Sequence, residues 1–522
     1  MVTRGTGGEK VPSATRGTSA TPGEPGGTGM PGATDANEAA GLSVRRAAAE
    51  AGERLALVSG DRSWTWVEAA EEANRALVSV RAAVARAGVA PAGVAPAAVA
   101  PAGGPAAAPI IAFDARPTPR VVFTVFALIE AGQPFVPLDP RLPAAERGLR
   151  IARINACVDL DDAAAGATMG ATEAAGEGGD CGPGDIPADR PLALLFSSGS
   201  TGAARLVELS RGAFAASAAA SGDRLGWQDD DRWLCCLPLA HVGGLSILSR
   251  CLLSRRTIVL TDGFVAADVA GTMLDHEVTL ASLVPTMLVR LLDLEPPWRP
   301  PANLRAILLG GAPAGADLWR RIEARGLPVR ATYGMTETCS QVATAEADAP
   351  SRLVPLVGAE FRERAGRIEV RGPTLCTSID GVAAPAGPDW TEDGFLRTGD
   401  LGRVRGDGAI EISGRADRLI VTGGDNVAPA EVEAVLEAHP GVARALVFGV
   451  EDPEWGEVIA AALVSASEPP THADLASWCA ARLPTYARPR RVAWFTEIPS
   501  TAAGKPDVVA ARDAARPRLE AL

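Results

Sequence analysis

The sequence predicts an α/β protein. We expect a large N-terminal domain of mixed, largely parallel sheets covered by helices, followed by a small α+β domain. At 522 residues the chain is long enough for two folded units. Short apolar runs alternate with helical segments between residues 191 and 344, which is typical of parallel strands covered on both faces. After Thr398 shorter strand-like runs dominate, which indicates a second unit.

The first 190 residues contain a hairpin, a helix and three low-complexity stretches. Residues 1–40 are rich in Gly, Thr, Pro and Ala, so we expect a disordered extension before a domain spanning 41–416. Residues 55–58 and 64–67 flank a Ser-Gly-Asp-Arg turn and predict the hairpin, and a helix follows to about residue 87. Residues 88–109 and 161–189 are predicted to be loose insertions.

The middle of the chain predicts the main sheet. Ser210 is the expected N-cap of a helix reaching residue 220, and Pro285 is expected to open a helix to residue 294. Phosphate-binding loops lie at the carboxyl ends of parallel strands, where residues 196–202 fall. The predicted strands are 191–196, 233–238, 256–260, 279–284 and 304–309.

The C-terminal part has a different pattern of predicted strands and helices. Residues 410–413 and 419–421 predict short strands around a turn at 414–417, which we take as the domain boundary. A helix from about 429 to 438 and strands at 442–450 and 458–465 are expected to follow. The C-terminal domain is therefore predicted to span residues 417–522.

Composition and charge argue against several classes of protein. The hydrophobic fraction of 47% and charged fraction of 22% are those of an ordinary globular protein. A net charge of −13 argues against a nucleic-acid or anionic-membrane surface. We find neither a long apolar run that predicts a membrane span nor a secretory signal pattern. The 8 cysteines form no CxxC pair and the 4 histidines are scattered, so we expect reduced thiols, no local zinc motif and a cytoplasmic location.

Five short motifs carry chemistry. The first is a loop of small residues and hydroxyls whose backbone N–H groups can wrap a polyphosphate, although such a stretch taken alone is more often a flexible turn. It is not a Walker A loop, because no Gly-Lys-Ser/Thr ends it. The others supply an aromatic ring, carboxylates and cations. The motifs are Phe196-Ser-Ser-Gly-Ser-Thr-Gly202, Tyr333-Gly-Met-Thr-Glu337, Thr398-Gly-Asp400, Gly414-Arg-Ala-Asp417 and Gly504-Lys505.

As a set, these motifs resemble the superfamily of adenylate-forming enzymes, which comprises acyl- and aryl-CoA ligases, luciferases and the adenylation domains of peptide synthetases. The resemblance covers roughly residues 41–510. It implies ATP, Mg²⁺ and coenzyme A as cofactors and a C-terminal domain that is mobile. The expected phosphate contacts are Ser197, Ser198, Gly199, Ser200, Thr201 and Gly202.

The resemblance also assigns roles in the central motifs. Thr336 would contact the α-phosphate and Glu337 would hold Mg²⁺, an ion that often takes one or two protein carboxylates and shares phosphate oxygens. Taken alone, Glu337 would be expected as an exposed loop acid. The residues expected beside adenine, with Tyr333 stacked on the ring, are Gly310, Gly311, Ala312, Tyr333, Gly334 and Met335.

The last motifs are implied to act on the ribose and on domain motion. Asp400 would accept hydrogen bonds from the ribose hydroxyls, with Arg415 supporting the ribose or a phosphate. Asp417 matches the hinge residue, although a turn acid that caps the next element is the stronger alternative. Lys505 would enter the site and offset negative charge during adenylation, whereas a lysine taken alone is usually exposed. The wall of the coenzyme A tunnel would include Gly423 and Gly424.

One segment departs from the family pattern. After the phosphate loop the family usually has x-Pro-Lys-Gly, whereas this chain has Ala203-Ala-Arg-Leu206. Arg205 keeps the positive charge of the usual lysine but not its compact ammonium geometry. We therefore expect loop mobility and phosphate affinity to differ from the family norm.

Within the superfamily, two segments are most similar to the subfamily of o-succinylbenzoate–CoA ligases of menaquinone biosynthesis. In that subfamily a histidine, here His241, precedes a small-residue run that includes Gly244, and a Ser-Gln pair beginning at Ser340 follows Met-Thr-Glu-Thr. The resemblance makes His241 the gate between acyl pocket and CoA tunnel; a satisfied core histidine is the alternative. We predict that Arg250 binds the second carboxylate of the acid, because a guanidinium can hold a carboxylate through two hydrogen bonds. Capping of the helix end, or exposure to solvent, is an equally open interpretation of Arg250.

The resemblance implies an acid–CoA ligase that forms an acyl-AMP and then a thioester. Two alternatives from the same superfamily are another acyl- or aryl-CoA ligase and an adenylation enzyme that loads a carrier-protein thiol. A third is a non-catalytic nucleotide-binding relative. The expected partners are a small aryl carboxylate and CoA, with no nucleic acid and no membrane span, and the oligomeric state is open.

Overall fold

A computed structural model describes residues 36–87, 109–154, 157–161, 186–197, 204–422, 425–453, 455–501 and 504–522. Most of the predicted extension 1–40 and of the insertions 88–109 and 161–189 lies outside these ranges. The extension was predicted to end at residue 40. This end was wrong, because Ala36–Gly41 is a helix and Ala39 is buried. Apolar alanines packed on the domain explain the earlier start of the fold.

The helices begin and end close to the predicted positions. Ser210 is the N-cap of its helix and accepts a hydrogen bond from Ala213 N, and Pro285 opens its helix, as predicted. The helices are α1 Ala36–Gly41, α2 Val44–Ala51, α3 Trp66–Arg86, α4 Pro119–Ala131, α5 Ala144–Ala152, α6 Arg211–Leu225, α7 Val242–Ser254, α8 Ala266–Asp275, α9 Pro285–Leu292, α10 Ala316–Ala324, α11 Pro429–Glu437, α12 His472–Ala480 and α13 Val508–Ala515.

The strands are β1 Leu55–Ser59, β2 Arg62–Thr65, β3 Ile110–Asp114, β4 Phe135–Leu138, β5 Cys157–Asp159, β6 Pro191–Ser197, β7 Arg205–Ser210, β8 Arg232–Cys235, β9 Thr257–Leu260, β10 Leu280–Leu283, β11 Ala306–Leu309, β12 Val329–Met335, β13 Ser340–Thr344, β14 Glu360–Arg364, β15 Arg367–Arg371, β16 Ser378–Ile379, β17 Val382–Ala383, β18 Leu396–Val404, β19 Ile410–Arg415, β20 Ile420–Thr422, β21 Asp425–Val427, β22 Val442–Asp452, β23 Gly456–Ser465, β24 Arg491–Phe495 and β25 Glu520–Ala521.

The first large sheet has the strand order β13-β12-β11-β10-β8-β9-β1-β2. The pairs from β12 to β1 are parallel, whereas the predicted hairpin β1–β2 and the pair β12–β13 are antiparallel at the two edges. The mixed, largely parallel sheet expected from the sequence is confirmed here. Its carboxyl ends carry the turn after β11 and the Tyr333 motif at the end of β12.

The second large sheet has the order β17-β16-β7-β6-β4-β3-β5. The expectation that the strand at 191–196 joins the later strands in one regular parallel pattern was wrong. β6 is parallel to β4 in this other sheet, and the next element after β6 is the antiparallel strand β7 rather than a helix. The predicted phosphate loop therefore connects an antiparallel pair.

The largest hydrophobic cluster among the described residues contains strands of both large sheets. It contains Phe135 of β4, Trp233 of β8 and Phe126 of α4, and all three are essentially inaccessible to solvent. Helix α6 is buried on nearly all faces, as expected for a helix inside a domain. This packing holds the ends of both sheets in fixed positions around the site described below.

The remaining strands form two smaller sheets. One has the order β14-β15-β18-β19 and the other β21-β20-β23-β24-β25, with β22 also paired to β23. The C-terminal sheet has its own core around Val432, Leu463 and Leu475, and it belongs to one compact unit with the rest of the described chain. The boundary at residue 417 stays a prediction. Within the described ranges, no helix is long and apolar enough to cross a membrane.

Candidate active site

Side chains from three of the five motifs contact one another. The Tyr333 hydroxyl donates a hydrogen bond of 2.6 Å to Asp400 Oδ2, and Asp400 lies directly opposite Arg415 in the pairing of β18 with β19. The Arg415 guanidinium is 3.4 Å from Asp400 Oδ1 and contacts both carboxylate oxygens of Asp417, at 3.1 and 2.5 Å. Burial raises the pKa of Tyr333 well above its usual value, and Asp400 adds to the shift. The predicted aromatic and ribose-side residues thus form one connected group.

Glycines in these motifs allow close approach. A Cβ on Gly399 would lie 2.5 Å from Arg415 Nη2, and one on Gly310 would lie 2.2 Å from Thr332 Oγ1. Gly311 has φ +81°, a left-handed backbone conformation that residues other than glycine rarely adopt. The Gly310-Gly311 turn after β11 therefore lies directly against β12, and its place beside adenine stays a prediction.

Glu337 follows β12 in the short turn Thr336–Thr338, and its surroundings suit a cation. Burial raises the pKa of Glu337, and the charges of Arg205 and Arg415 oppose that shift from a distance. Its environment is therefore not that of the exposed loop acid that was the alternative. Among the described residues no cluster of three or more His, Cys, Asp or Glu side chains could hold a metal ion. A single half-buried carboxylate fits Mg²⁺ that is held mainly by phosphate oxygens.

Lys505 is brought into the same site from the C-terminal part of the chain. Its Cε lies 3.6 Å from the position that a Cβ on Gly311 would occupy. Burial lowers the pKa of Lys505, and Arg415 lowers it further, whereas Glu337 and Asp400 raise it. As a whole, Lys505 is an exposed residue. The ammonium nevertheless lies among the charges of the motifs that precede it in sequence.

Arg205 is held by carboxylates at the exit of the phosphate loop. Its two terminal nitrogens contact Asp389 at 3.1 and 2.5 Å, and its Nε lies 3.5 Å from Asp380. The same Asp380 accepts a hydrogen bond of 2.8 Å from Leu206 N and one of 2.7 Å from Arg153. Ion pairing with Asp389 raises the pKa of Arg205, so the cation is permanently charged and oriented.

His241 stands at the start of α7, and its side chain makes no capping hydrogen bond. Burial lowers the pKa of His241, and the charge of Asp139 opposes the shift while Lys505 adds to it. Asp139 is held by Arg141 through contacts of 2.9 and 2.8 Å. A Cβ on Gly244 would lie 2.5 Å from Pro238 O, so glycine lets this helix turn pack closely. Burial therefore favours the neutral imidazole, and the positive charge of Lys505 acts in the same direction.

Arg250 lies inside the protein on α7 with 1% of its surface exposed, so neither alternative, capping the helix end or facing solvent, is correct. Its Nη2 donates a 3.1 Å hydrogen bond to Ser340 Oγ, its Nε has no partner, and its Cζ lies 5.4 Å from the Trp233 ring centre. In the part of the chain that the structure describes, no carboxylate pairs with it. Burial lowers the pKa of Arg250 to about 10.

Ser340 is presented to Arg250 by an unusual turn. Cys339 and Ser340 have φ of +50° and +84°, although neither is glycine. The turn is held by Thr338, whose hydroxyl donates to Ser340 O at 2.8 Å, and by Ser217, whose hydroxyl donates to Cys339 O at 2.7 Å. Strained backbone of this kind persists where surrounding structure enforces it, often at functional sites. A Cβ on Gly334 would lie only 2.0 Å from Ser340 O, so Arg250 lies just behind the Tyr333 strand.

Two comparisons with known families cover most of this site. A profile described as AMP-binding enzyme matches residues 103–368, and one described as AMP-binding enzyme C-terminal domain matches residues 431–505. The first match alone spans just over half of the chain. The chain belongs to the AMP-binding enzyme family.

Curated relatives of this AMP-binding enzyme include two 2-succinylbenzoate–CoA ligases. That of Bacillus licheniformis is 38% identical over 335 residues, which is 61% of this chain and 69% of the relative. That of Bacillus pumilus is 32% identical over 483 residues, 87% of this chain and 93% of the relative. A solved structure of o-succinylbenzoate CoA synthetase from Bacillus subtilis with the acyl-adenylate intermediate OSB-AMP aligns with a TM-score of 0.73 and 30% identity, covering 91% and 97% of the two chains.

The geometry of this AMP-binding enzyme includes residues that the motifs did not reveal. Asp389 and Asp139 bind Arg205 and Arg141 next to the site. Neither acid lies in one of the five motifs, so the motifs gave no signal for them. Predicted site residues outside the described ranges are Ser198, Gly199, Ser200, Thr201, Gly202, Gly423 and Gly424.

Proposed function

We propose that this protein is an ATP-dependent o-succinylbenzoate–CoA ligase, which forms an acyl-AMP and then an acyl-CoA thioester. The observation that carries the proposal is the buried guanidinium of Arg250, which has one hydrogen bond to Ser340 and an Nε without a partner. Relatives that share the fold and about a third of the aligned residues bear this activity in their names. The cytoplasmic location expected from the sequence belongs to the same proposal.

Arg250 selects the substrate class. An uncompensated buried charge is costly, so such a site favours an anionic ligand that completes it. o-Succinylbenzoate has two carboxylates, and only the aliphatic one reacts. The aromatic carboxylate can accept hydrogen bonds from Arg250 and Ser340, which orients the aliphatic carboxylate toward the nucleotide. A monocarboxylic acid would leave Arg250 unpaired.

The first half-reaction joins the aliphatic carboxylate to the α-phosphorus of ATP and releases pyrophosphate. Tyr333 and Asp400 would hold the adenosine, and Thr336 would contact the α-phosphate. Glu337 would hold Mg²⁺, which when bound neutralises phosphate charge; related structures with ATP and a magnesium ion are known. Lys505 is positioned to offset the charge of the attacking carboxylate and the α-phosphate. Catalysis is then mainly alignment and charge neutralisation.

In the second half-reaction the thiol of coenzyme A attacks the acyl carbon and AMP leaves. We assign the hinge for the change between half-reactions to Asp417, which lies in the turn Ala416–Arg418 and is bound by Arg415. Rotation about this turn would withdraw Lys505 and bring residues around Gly423 and Gly424 to the tunnel. His241, at the start of α7, would be the gate between acyl pocket and tunnel.

The direct test is pyrophosphate release from the purified protein with MgATP and a panel of acids, with and without coenzyme A. The panel contains o-succinylbenzoate, benzoate, 4-coumarate and medium-chain fatty acids. We expect selective turnover of o-succinylbenzoate and formation of its CoA thioester. Preference for another acid would retain the ligase chemistry and overturn the substrate. Failure to adenylate any acid, with ATP still bound, would favour a non-catalytic nucleotide-binding protein.

The ion pairs of Arg205 predict how a substitution after the phosphate loop affects ATP binding. Arg205→Lys keeps the charge but cannot make the paired contacts with Asp389, so the exit of the phosphate loop loses its anchor. We expect the KM for ATP to rise by about threefold to tenfold, while the KM for the acid stays within twofold. Initial-rate kinetics with each substrate varied in turn measures this. Asp389→Asn should produce the same pattern, and an unchanged ATP KM in both variants would contradict it.

A further inference from the structure

Hydrogen bonds tie Thr501 to Gly504 and Lys505 in the C-terminal part, and we call these three residues the lysine turn. Thr501 N donates to Lys505 O at 2.7 Å, Gly504 N donates to Thr501 O at 2.9 Å, and Lys505 N donates to Thr501 Oγ1 at 3.3 Å. Gly504 has φ +75°, as a tight turn of this kind requires. The positions of Thr501, Gly504 and Lys505 are therefore coupled, so a contact to one of them affects where Lys505 lies.

The first turn of α9 holds the lysine turn in place. Thr286 Oγ1 donates a hydrogen bond of 2.9 Å to Gly504 O, the carbonyl just before Lys505. A Cβ on Gly504 would lie 3.1 Å from both Thr286 Oγ1 and Val284 Cγ2, and one on Gly311 would lie 3.2 Å from Val284 Cγ1. Val284 and Thr286 therefore form one wall of a close-fitting seat for Gly504, and Gly311 lies between that wall and Lys505.

A second contact joins the same helix to the C-terminal part. Arg290 lies one helical turn beyond Thr286, and its guanidinium is 2.8 Å from Glu497 Oε1. Both side chains are largely exposed, at 57% and 71%, so this ion pair contributes little. The hydrogen bond from Thr286 is partly buried and directional, and it acts on the residue next to the lysine.

We propose that Thr286 is a positioning residue that seats the lysine turn for adenylation. It acts by fixing the Gly504 carbonyl and thereby the start of the Lys505 side chain. In the proposed function Lys505 leaves the site before thioester formation. A single hydrogen bond, which is easily broken, suits a segment that moves in and out of the site. The half-reaction assigned to this device rests on the proposed function.

Thr286→Val keeps the branched shape and removes the hydroxyl. We expect the rate of adenylation, measured as pyrophosphate release, to fall by about fivefold to tenfold. This is the effect of losing one hydrogen bond. Conversion of supplied acyl-adenylate to the thioester should stay within twofold. Thr286→Ser keeps the hydroxyl and should adenylate within twofold of the wild-type protein, as should Arg290→Ala, which removes the exposed ion pair on the same helix.

A substrate-independent measurement separates this inference from the proposed function. Hydrogen–deuterium exchange of residues 497–507 in the protein with no substrate added should be faster in Thr286→Val than in wild type or Thr286→Ser. If the wild-type protein does not adenylate o-succinylbenzoate, the proposed function fails while the exchange result still decides whether Thr286 seats the turn. Unchanged exchange in Thr286→Val, or equal loss of both half-reactions, would overturn the inference.

Discussion

Lys505→Ala should reduce the rate of acyl-adenylate formation by about 100- to 1,000-fold, the range seen when a preorganised charge-stabilising group is removed. The physical reason is that Lys505 is the cation brought from the C-terminal part to Gly311, among Glu337, Asp400 and Arg415. Thioester formation from supplied acyl-adenylate should stay within about threefold, because the lysine acts only in the first step. Single-turnover measurements of the two half-reactions test the split.

The sequence supplies an internal control for this experiment. It contains only two lysines, Lys10 and Lys505, among 50 lysines and arginines. Lys10→Ala should leave both half-reactions unchanged. Lys505→Arg should recover part of the adenylation rate, since the charge is retained but the larger guanidinium fits the seat between Gly311 and Gly504 less well. Equal loss of both half-reactions in Lys505→Ala would show that the residue supports the fold rather than adenylation.

Local patterns predicted the parts of the site that lie within one motif or at the end of one strand. The apolar runs placed β6, β10 and β11, and the Thr-Gly-Asp and Gly-Arg-Ala-Asp motifs fell on paired strands, where Asp400 meets Arg415. These are short-range signals, because the residues next to a strand end or a turn determine where it forms. The family resemblance then supplied the roles.

Contacts between distant segments could not be predicted in this way. Arg205 and Asp389 are 184 residues apart, and nothing in either segment indicates their pairing. The division of the middle strands between two sheets depends on which strands pair with each other. The alternation of strands and helices in the sequence does not specify that pairing. Likewise, the burial of Arg250 depends on the left-handed turn at Cys339 and Ser340, which are not the residues usually expected in that conformation.

Arg250→Met should have opposite effects on stability and on substrate binding. It removes a buried charge that has no carboxylate partner among the described residues, so the melting temperature of the substrate-free protein should equal or exceed that of wild type. The KM for o-succinylbenzoate should rise by about 100-fold, equivalent to ~2.7 kcal/mol, because the aromatic carboxylate loses its cation. The KM for ATP should stay within twofold. Calorimetry and initial rates measure the two effects.

A second buried arginine at the end of the same helix serves as the matched control. Arg255 contacts Glu50 at 3.0 Å and donates to Gly41 O at 3.0 Å, so its charge is already satisfied by the protein. Arg255→Met should therefore destabilise the fold by about 1–3 kcal/mol without changing the KM for the acid. 4-Oxo-4-phenylbutanoate, which lacks the aromatic carboxylate, should be an equally poor substrate for wild type and Arg250→Met. If Arg250→Met instead destabilised the protein and weakened both acids alike, Arg250 would be a structural residue and the dicarboxylate specificity would have to come from elsewhere.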